Sequence, residues 1–315
     1  MAEGAGLATL RDSIRLLRPP QWVKNVFVFA ALVFGYGAKR GEPQAIQHAV
    51  LAFIAFCLAS SAGYALNDVL DRERDRHHPV KKNRPVASEA LGVPAALALS
   101  LLCGAVAIGI SLALLPRLFW VTVAGYWVLT AIYSLVLKDL LILDVIMIAI
   151  LFVIRALAGA MAVQVSISPW LVVCTFMLCL FLGFGKRRCE LAVIGNSEGA
   201  GSHRQTLQRY TPDLLNHLLS TSGGMAIITF LLYTMDRSQP AAFPKHYLIY
   251  TVPLVVYGIW RYAMLIETGR LTGPTDIVIN DRPFLATAIL WCVVAGAIAL
   301  WGSEFGAWFA SVQPG

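Results

Sequence analysis

Asn67-Asp68-Val69-Leu70-Asp71-Arg72-Glu73-Arg74-Asp75 closes a run, residues 43–67, that contains no Asp, Glu, Lys or Arg. About 20 apolar residues in a helix cross the hydrocarbon core of a bilayer. The run therefore predicts a membrane helix over 45–70 that delivers a group of carboxylates to its end. At 100° per residue, Asp68, Asp71 and Asp75 fall within an arc of about 60°. Tyr64 lies on the same stripe one turn deeper, with Asn67 at its border.

Working outward, the rest of the chain has the same texture. Of 315 residues, 58% are apolar and 14% charged, against roughly 25% charged in an ordinary soluble domain. A soluble fold needs more charge than that to stay dissolved. Charge-poor windows predict nine helices, at about 22–38, 45–70, 91–115, 118–137, 140–164, 169–185, 213–235, 246–266 and 284–306. Gly35 and Gly37, Pro116, the Ser166-Ile167-Ser168-Pro169 break and Pro283 provide stops between them. The expected fold is all-α: a polytopic integral membrane protein, one membrane domain over 1–315.

The net charge of +7 is distributed by loop. With the N-terminus on side one, nineteen of the 25 Lys and Arg residues fall on that side, five on the other, and Arg155 inside a span. Positive charge marks the cytoplasmic side, so the asymmetry accounts for the basic balance and removes the need for a nucleic-acid partner. The six cysteines show no CxxC spacing, and five lie in apolar segments, which predicts packed thiols. The longest polar stretches, 71–89, 186–212 and 267–283, are all cytoplasmic, and chemistry is expected on that face.

Three carboxylates on one stripe repel one another, so a cation should compensate them. Mg²⁺ is the natural candidate, because it takes hard oxygen ligands and is commonly held by one or two carboxylates plus substrate phosphates. That chemistry suits a diphosphate leaving group. The alternative is a solvated helix end whose acids pair with Arg72, Arg74 and Arg76. The following loop, His77-His78-Pro79-Val80-Lys81-Lys82-Asn83-Arg84-Pro85, offers Lys81 and Arg84 to phosphate oxygens.

Tyr133 and Lys138 end the fourth predicted helix at the same face, and Asp144 and Arg155 lie on the fifth. Eleven residues separate that last pair, which places them on one stripe roughly 16 Å long. An arginine that deep is costly against lipid, so Arg155 is expected to face a polar cavity or to join an internal ion pair. Lys186, Arg187 and Glu190 open the 186–212 loop, whose Gly/Ser-rich middle is expected to act as a lid. Arg261, Asp276, Asp281 and Arg282 form a further cytoplasmic set.

With these residues in hand, the chain resembles the UbiA-like superfamily of intramembrane prenyltransferases over essentially its whole length. The NDxxDxxxD signature on the second of nine helices carries the resemblance. Leu17-Arg18-Pro19-Pro20-Gln21-Trp22-Val23-Lys24-Asn25, Tyr133-Ser134 followed by Lys138, and Gly185-Lys186-Arg187 resemble its polyprenyl-phosphate phosphoribosyltransferase branch. The resemblance implies nine helices around a central cavity open to the cytoplasm and to lipid, in a bacterial plasma membrane. It also implies that Asn67, Asp68, Asp71 and Asp75 hold Mg²⁺ and a diphosphate. Prenyl-transferring relatives usually carry a second aspartate-rich motif after the sixth helix; here Lys186-Arg187-Arg188-Cys189-Glu190 stands in that place.

One acidic and one basic cluster fit a diphosphate donor and a separate phosphate-bearing acceptor. In the phosphoribosyl branch these are phosphoribosyl diphosphate and a polyprenyl phosphate such as decaprenyl phosphate. Lys24, Lys81, Arg84, Lys138 or Lys186 would hold the 5-phosphate and the lipid phosphate. The first rival is a superfamily member that moves a polyprenyl chain from its diphosphate to an aromatic acceptor or haem precursor. A transporter is the second, but the chain shows neither a repeat nor matching Gly/Pro-broken helices. Homo-oligomerisation stays open.

Overall fold

In the computed structural model, residues 2–34, 42–77, 81–195, 209–236, 244–268 and 280–312 are described. The elements are α1 (Ala2–Leu17), a 3-10 segment (Pro19–Phe29) running into α2 (Ala30–Phe34), α3 (Pro43–Leu70), α4 (Arg72–Arg76), α5 (Val93–Leu114), α6 (Phe119–Leu135), α7 (Leu143–Val163), α8 (Pro169–Gly195), α9 (Pro212–Met235), α10 (Val252–Glu267) and α11 (Arg282–Val312). Short 3-10 turns at Leu137–Asp139 and Lys245–Thr251 precede α7 and α10. No strand occurs among the described residues.

Seven helices are long and apolar enough to cross a membrane, and α6 is a shorter apolar one. The chain is an integral membrane protein, with Leu101, Leu102, Leu112, Val128, Trp260, Val293 and Leu300 presented outward where lipid would lie. Proline starts many of these helices, at the first or second position of α3, α5, α9 and α10. There its missing N–H costs nothing and its fixed φ suits the helix.

The first predicted span, 22–38, is not a regular α-helix. Arg18 takes a left-handed conformation (φ 52°, ψ 58°) and two prolines follow, after which the chain winds as a 3-10 helix for eleven residues. Runs that long are uncommon. At roughly 2.0 Å per residue in the 3-10 segment and 1.5 Å in α2, the two rise about 30 Å, the thickness of a bilayer core. The segment lies close against α7: a Cβ on Gly159 would stand 1.8 Å from the Val28 carbonyl oxygen, so only glycine fits.

The α8 helix runs to Gly195, ten residues past the predicted end at 185. Lys186, Arg187 and Glu190 are therefore helical rather than in a loop, and Glu190 pairs with Arg187 at 2.6 Å and Lys186 at 3.8 Å. Such one-turn pairs support a helix, which an apolar-window criterion does not see. The Gly/Ser-rich middle, apart from Gly195, and Asp276 lie outside the described residues.

Two apolar clusters meet at α7. Phe56, Phe119, Val123, Tyr126 and Ala158 join α3, α6 and α7. Val145, Phe181, Phe184, Leu215, Leu219, Ile259 and Tyr262 join α7 to α8, α9 and α10. Each fully buried large apolar side chain contributes about 1.5–3 kcal/mol against exposure to water, though within lipid the gain comes from packing instead. All six cysteines are free; Cys57, Cys103, Cys179 and Cys189 are packed as expected, Cys174 is partly buried, and Cys292 is exposed.

Candidate active site

The carboxylates at the end of α3 are compensated by cations that come from distant parts of the chain. The helix breaks at Asp71 (φ −91°, ψ 4°) and restarts as α4, yet Asp71 N–H still donates to the Asn67 carbonyl and Asp75 N–H to the Asp71 carbonyl. The three aspartates therefore keep nearly helical placement. Arg84 donates to Asp68 at 3.1 Å and to Asp75 at 2.6 Å through one nitrogen. Arg18 also donates to Asp68, and Lys138 to Asp71 at 2.5 Å. Asn67 donates to the second Asp71 oxygen at 3.1 Å.

The expected alternative, in which Arg72, Arg74 and Arg76 pair with these acids, does not describe this pairing. Arg72 and Arg76 bind Glu73, and Arg74 lies 3.5 Å from Asp139, all at the surface. Asp68 and Asp75 are buried, at 1% and 4% exposure, so solvent does not screen them and the partners are obligatory. Burial pulls the Arg18 guanidinium below its ordinary pKa, and the Asp68 carboxylate opposes that pull. The Arg18 guanidinium also sits 5.1 Å over the Tyr64 ring. Lys81 is half-buried, and its carbonyl accepts from Arg84 N–H, which closes the short turn that presents Arg84.

Among the described residues, no group of three or more His, Cys, Asp or Glu is arranged as a metal cage. The donor chemistry nonetheless suits Mg²⁺. The oxygens are hard, and Asp68 Oδ2 is buried with no hydrogen-bond partner. A buried carboxylate oxygen left without a donor is costly, and a hard cation arriving with a diphosphate would satisfy it.

A second cluster lies on α7 and α8. Asp144, fully buried, accepts from Arg187 Nε at 2.9 Å and from the Tyr210 hydroxyl at 2.9 Å. Arg187 binds Glu190 as well, so it is spent on protein carboxylates. Tyr133, half-buried at the end of α6, lies near Arg187.

Arg155 does not face a polar cavity. Its Nε donates to Asn25 Oδ1 at 2.8 Å, and its two terminal nitrogens to the Leu151 carbonyl at 2.7 Å and the Tyr126 hydroxyl at 2.9 Å. Its guanidinium lies 4.8 Å from the Tyr126 ring centre and 5.2 Å from that of Phe152. Asn25 in turn donates to Ser60. The expected internal ion pair is not what forms either: the partners of Arg155 are neutral, and Asp144 pairs with Arg187. Arg261 is likewise engaged, in a two-point pair with Asp281 at 2.7 and 2.8 Å.

Lys24 and Lys186 are different. Lys24 feels the positive charges of Lys186, Arg155 and Arg18, with no carboxylate paired to it among the described residues. Lys186 is half exposed and touches Glu190 only at 3.8 Å. An apolar cavity of about 420 Å³ is lined by Phe27, Phe181, Leu182, Phe230, Tyr262 and Trp291, among others. Phe27 stands three residues after Lys24, directly in line on a 3-10 helix, and Leu182 one α-helical turn before Lys186. Each lysine is thus one turn along the chain from a residue that lines the cavity. Gly185 beside Lys186 allows the Tyr262 ring close, since a Cβ there would meet it at 2.7 Å.

A family model described as the UbiA prenyltransferase family matches residues 27–278. This chain belongs to that family.

Similar UbiA-family chains include the decaprenyl-phosphate phosphoribosyltransferase of Corynebacterium glutamicum, 30% identical over 89% of this chain and 85% of that protein. The enzyme of the same name from Mycobacterium tuberculosis is 29% identical over 92% and 94%. Among solved structures, a UbiA homolog from Archaeoglobus fulgidus bound to DMAPP and Mg²⁺ superposes with a TM-score of 0.69 at 18% identity, covering 91% of this chain and 99% of that one. That likeness establishes the fold.

Sequence reasoning missed Arg18 and Tyr210. Arg18 stands in the Leu17–Asn25 stretch, where the sequence alone assigns it no partner, and only the left-handed turn before Pro19 aims it at Asp68. Tyr210 carried no signal, because nothing in its neighbours shows that it reaches the α6–α7 turn.

Proposed function

We propose that this UbiA-family membrane transferase moves a 5-phosphoribosyl group from phosphoribosyl diphosphate to a polyprenyl phosphate such as decaprenyl phosphate, releasing diphosphate. The observation that carries the reading is the pairing of a compensated acidic cluster with two lysines that no carboxylate neutralises fully, each one turn along the chain from the lining of an apolar cavity. The relatives named above as decaprenyl-phosphate phosphoribosyltransferases, similar over nearly the whole chain, support it.

In this reading the chain is one membrane domain with nine crossings, the 3-10 segment and α2 supplying the first. It lies in a bacterial plasma membrane with the site facing the cytoplasm, as the distribution of Lys and Arg favours. Asp68, Asp71 and Asp75 would hold Mg²⁺ together with the donor diphosphate, with Asn67 fixing Asp71. A bound Mg²⁺ supplies neutralisation of the charge that develops on the leaving diphosphate.

The chain's own residues do the rest. Arg18, Arg84 and Lys138 stand where they can turn from the aspartates to phosphate oxygens as these arrive, so the site changes partners rather than desolvating bare charges. Lys24 and Lys186 hold the lipid phosphate at the cavity rim, and the first isoprene units lie against Phe27, Phe181 and Tyr262. Lys81, in the same short turn as Arg84, would serve the 5-phosphate. The lipid phosphate oxygen attacks the anomeric carbon of ribose as the bond from that carbon to the diphosphate oxygen breaks. No general base is needed, because the attacking phosphate is already an anion near neutral pH. Positioning and charge neutralisation supply the rate. Tyr64 shapes the site through Arg18, Tyr133 through Arg187; Asp144, Arg155, Arg187, Glu190 and Arg261 hold helices in place rather than touch substrate.

The test is transfer by purified protein in detergent, with labelled phosphoribosyl diphosphate, decaprenyl phosphate and Mg²⁺. Label enters the lipid fraction, and EDTA or Asp71→Ala abolishes it. Prenyl diphosphate with an aromatic acid yielding product, and no phosphoribosyl lipid, would overturn the donor assignment and leave the family intact.

A further inference from the structure

The turn between α6 and α7 is strained at a position chosen for it by nothing in the local sequence. Ile142 has φ 67° and ψ −45°, and Leu143 N–H donates to the Leu141 carbonyl at 2.7 Å. A three-residue turn closed in this way at positive φ is the rare, strained kind of γ-turn, and a β-branched residue there is an outlier. Such a conformation persists only where the surroundings over-determine it.

What surrounds it is Tyr210. Its hydroxyl accepts from Ile142 N–H at 2.8 Å and donates to Asp144 Oδ1 at 2.9 Å. The other Asp144 oxygen is held by Arg187 at 2.9 Å, and the Tyr210 ring, 3% exposed, is packed with Val145, Cys189 and Leu215. Burial and the Asp144 carboxylate push the phenol well above its ordinary pKa, so the hydroxyl keeps its proton as a donor. Four residues before Ile142, the same turn carries Lys138, which donates to Asp71 at 2.5 Å.

We propose that Tyr210 is a positioning residue for the transfer reaction: its hydroxyl holds Ile142 in the strained turn and so sets Lys138 against Asp71 in the donor site. The inference rests on the phosphoribosyl-transfer reading of that site. It adds a residue outside the donor and acceptor pockets that decides their geometry.

Tyr210→Phe keeps the ring and deletes the hydroxyl. The expected result is a kcat lower by about 10- to 100-fold, with KM for the lipid phosphate within about twofold of wild type, since Lys24 and Lys186 are not on this turn. Glycine adopts positive φ without steric cost, so Ile142→Gly removes the need for the hydroxyl. The double variant Ile142→Gly/Tyr210→Phe is expected within about threefold of Ile142→Gly alone, the non-additivity of residues acting through one turn.

Amide hydrogen exchange over residues 138–145 of the full chain in detergent gives a readout independent of turnover. Protection is lost in Tyr210→Phe if the hydroxyl holds the turn. Wild-type kcat with unchanged exchange in Tyr210→Phe overturns the proposal. So does a loss of kcat that Ile142→Gly fails to absorb, because the hydroxyl would then act elsewhere. A wild-type chain that transfers no phosphoribosyl group overturns the role in transfer; the exchange result shows in that case that the functional reading, not the anchoring of the turn, has failed.

Discussion

Lys138 and Asp71 stand 67 residues apart in the chain, and the lysine Nζ lies 2.5 Å from the aspartate Oδ1. Both side chains are mostly buried, at 10% and 19% exposure. The pair joins the turn after α6 to the end of α3, and in the proposed reaction both members face the donor diphosphate. Lys138→Met and Asp71→Asn are each expected to lower kcat/KM for the donor by at least about 100-fold. The double variant should lose much less than the sum of the two, because the partners act as a unit. Steady-state kinetics of the three proteins checks this.

Arg84 bridges two carboxylates with one guanidinium. A lysine ammonium is a point charge on a flexible stem and does not hold two acids in one plane. Arg84→Lys is therefore expected to lower transfer by about tenfold or more, and Arg84→Ala to destabilise the protein by about 2–3 kcal/mol by leaving Asp68 and Asp75 under-compensated. Thermal unfolding in detergent, run beside the activity assay, separates the two effects.

The sequence made the architecture and the acidic half of the site legible, for a physical reason. Lipid forbids charge, so the windows between charges expose the helices, and three aspartates at helical spacing after residue 67 can be seen without coordinates. Two other features depend on the third dimension. Which cation meets Asp68 is decided by a left-handed Arg18 fifty residues away. Whether Arg155 opens to a cavity is decided by Asn25 and Tyr126, 130 and 29 residues distant. The end of α8 was misjudged because its last turns are polar and held by one-turn ion pairs, which hydropathy counts against a helix.

In the proposed reaction Arg155 locks helices together and does not touch substrate. Two of its hydrogen bonds tie α7 to the 3-10 segment and α6, and the third, to the Leu151 carbonyl, stays within α7. Arg155→Lys keeps the charge but loses the fork, so the melting temperature is expected to fall by several degrees, on the order of 1–3 kcal/mol. KM for both substrates should stay within about twofold of wild type. A melting curve paired with substrate titrations distinguishes this from a binding role, which would raise a KM at unchanged stability.

Asp281 is held below the usual carboxylate value by hydrogen bonds from Arg261 and from the Phe284 N–H that it caps. A depressed folded-state pKa contributes stability above the unfolded value, and that stability is lost as pH falls through the folded one. Asp281→Asn should therefore melt below wild type at neutral pH, and the two curves should converge once the pH drops beneath the depressed value. Melting temperature against pH, measured for both proteins, shows the convergence.

Arg18, Arg84 and Lys138 already balance Asp68, Asp71 and Asp75. A divalent cation arriving alone would leave an uncompensated surplus of positive charge, whereas one arriving with a diphosphate does not. Titration calorimetry is expected to show little binding of Mg²⁺ alone at about 1 mM, and clear binding of phosphoribosyl diphosphate only when Mg²⁺ is present.

The central claim concerns which bond of the donor breaks, and labelling the donor at two phosphates reads it directly. Purified protein is given decaprenyl phosphate, Mg²⁺ and phosphoribosyl diphosphate labelled either at the 5-phosphate or at the terminal phosphate of the diphosphate. The account predicts that the 5-phosphate label moves into the lipid fraction while the diphosphate label stays in water. Diphosphate label in the lipid, or no label there from either donor, would contradict it.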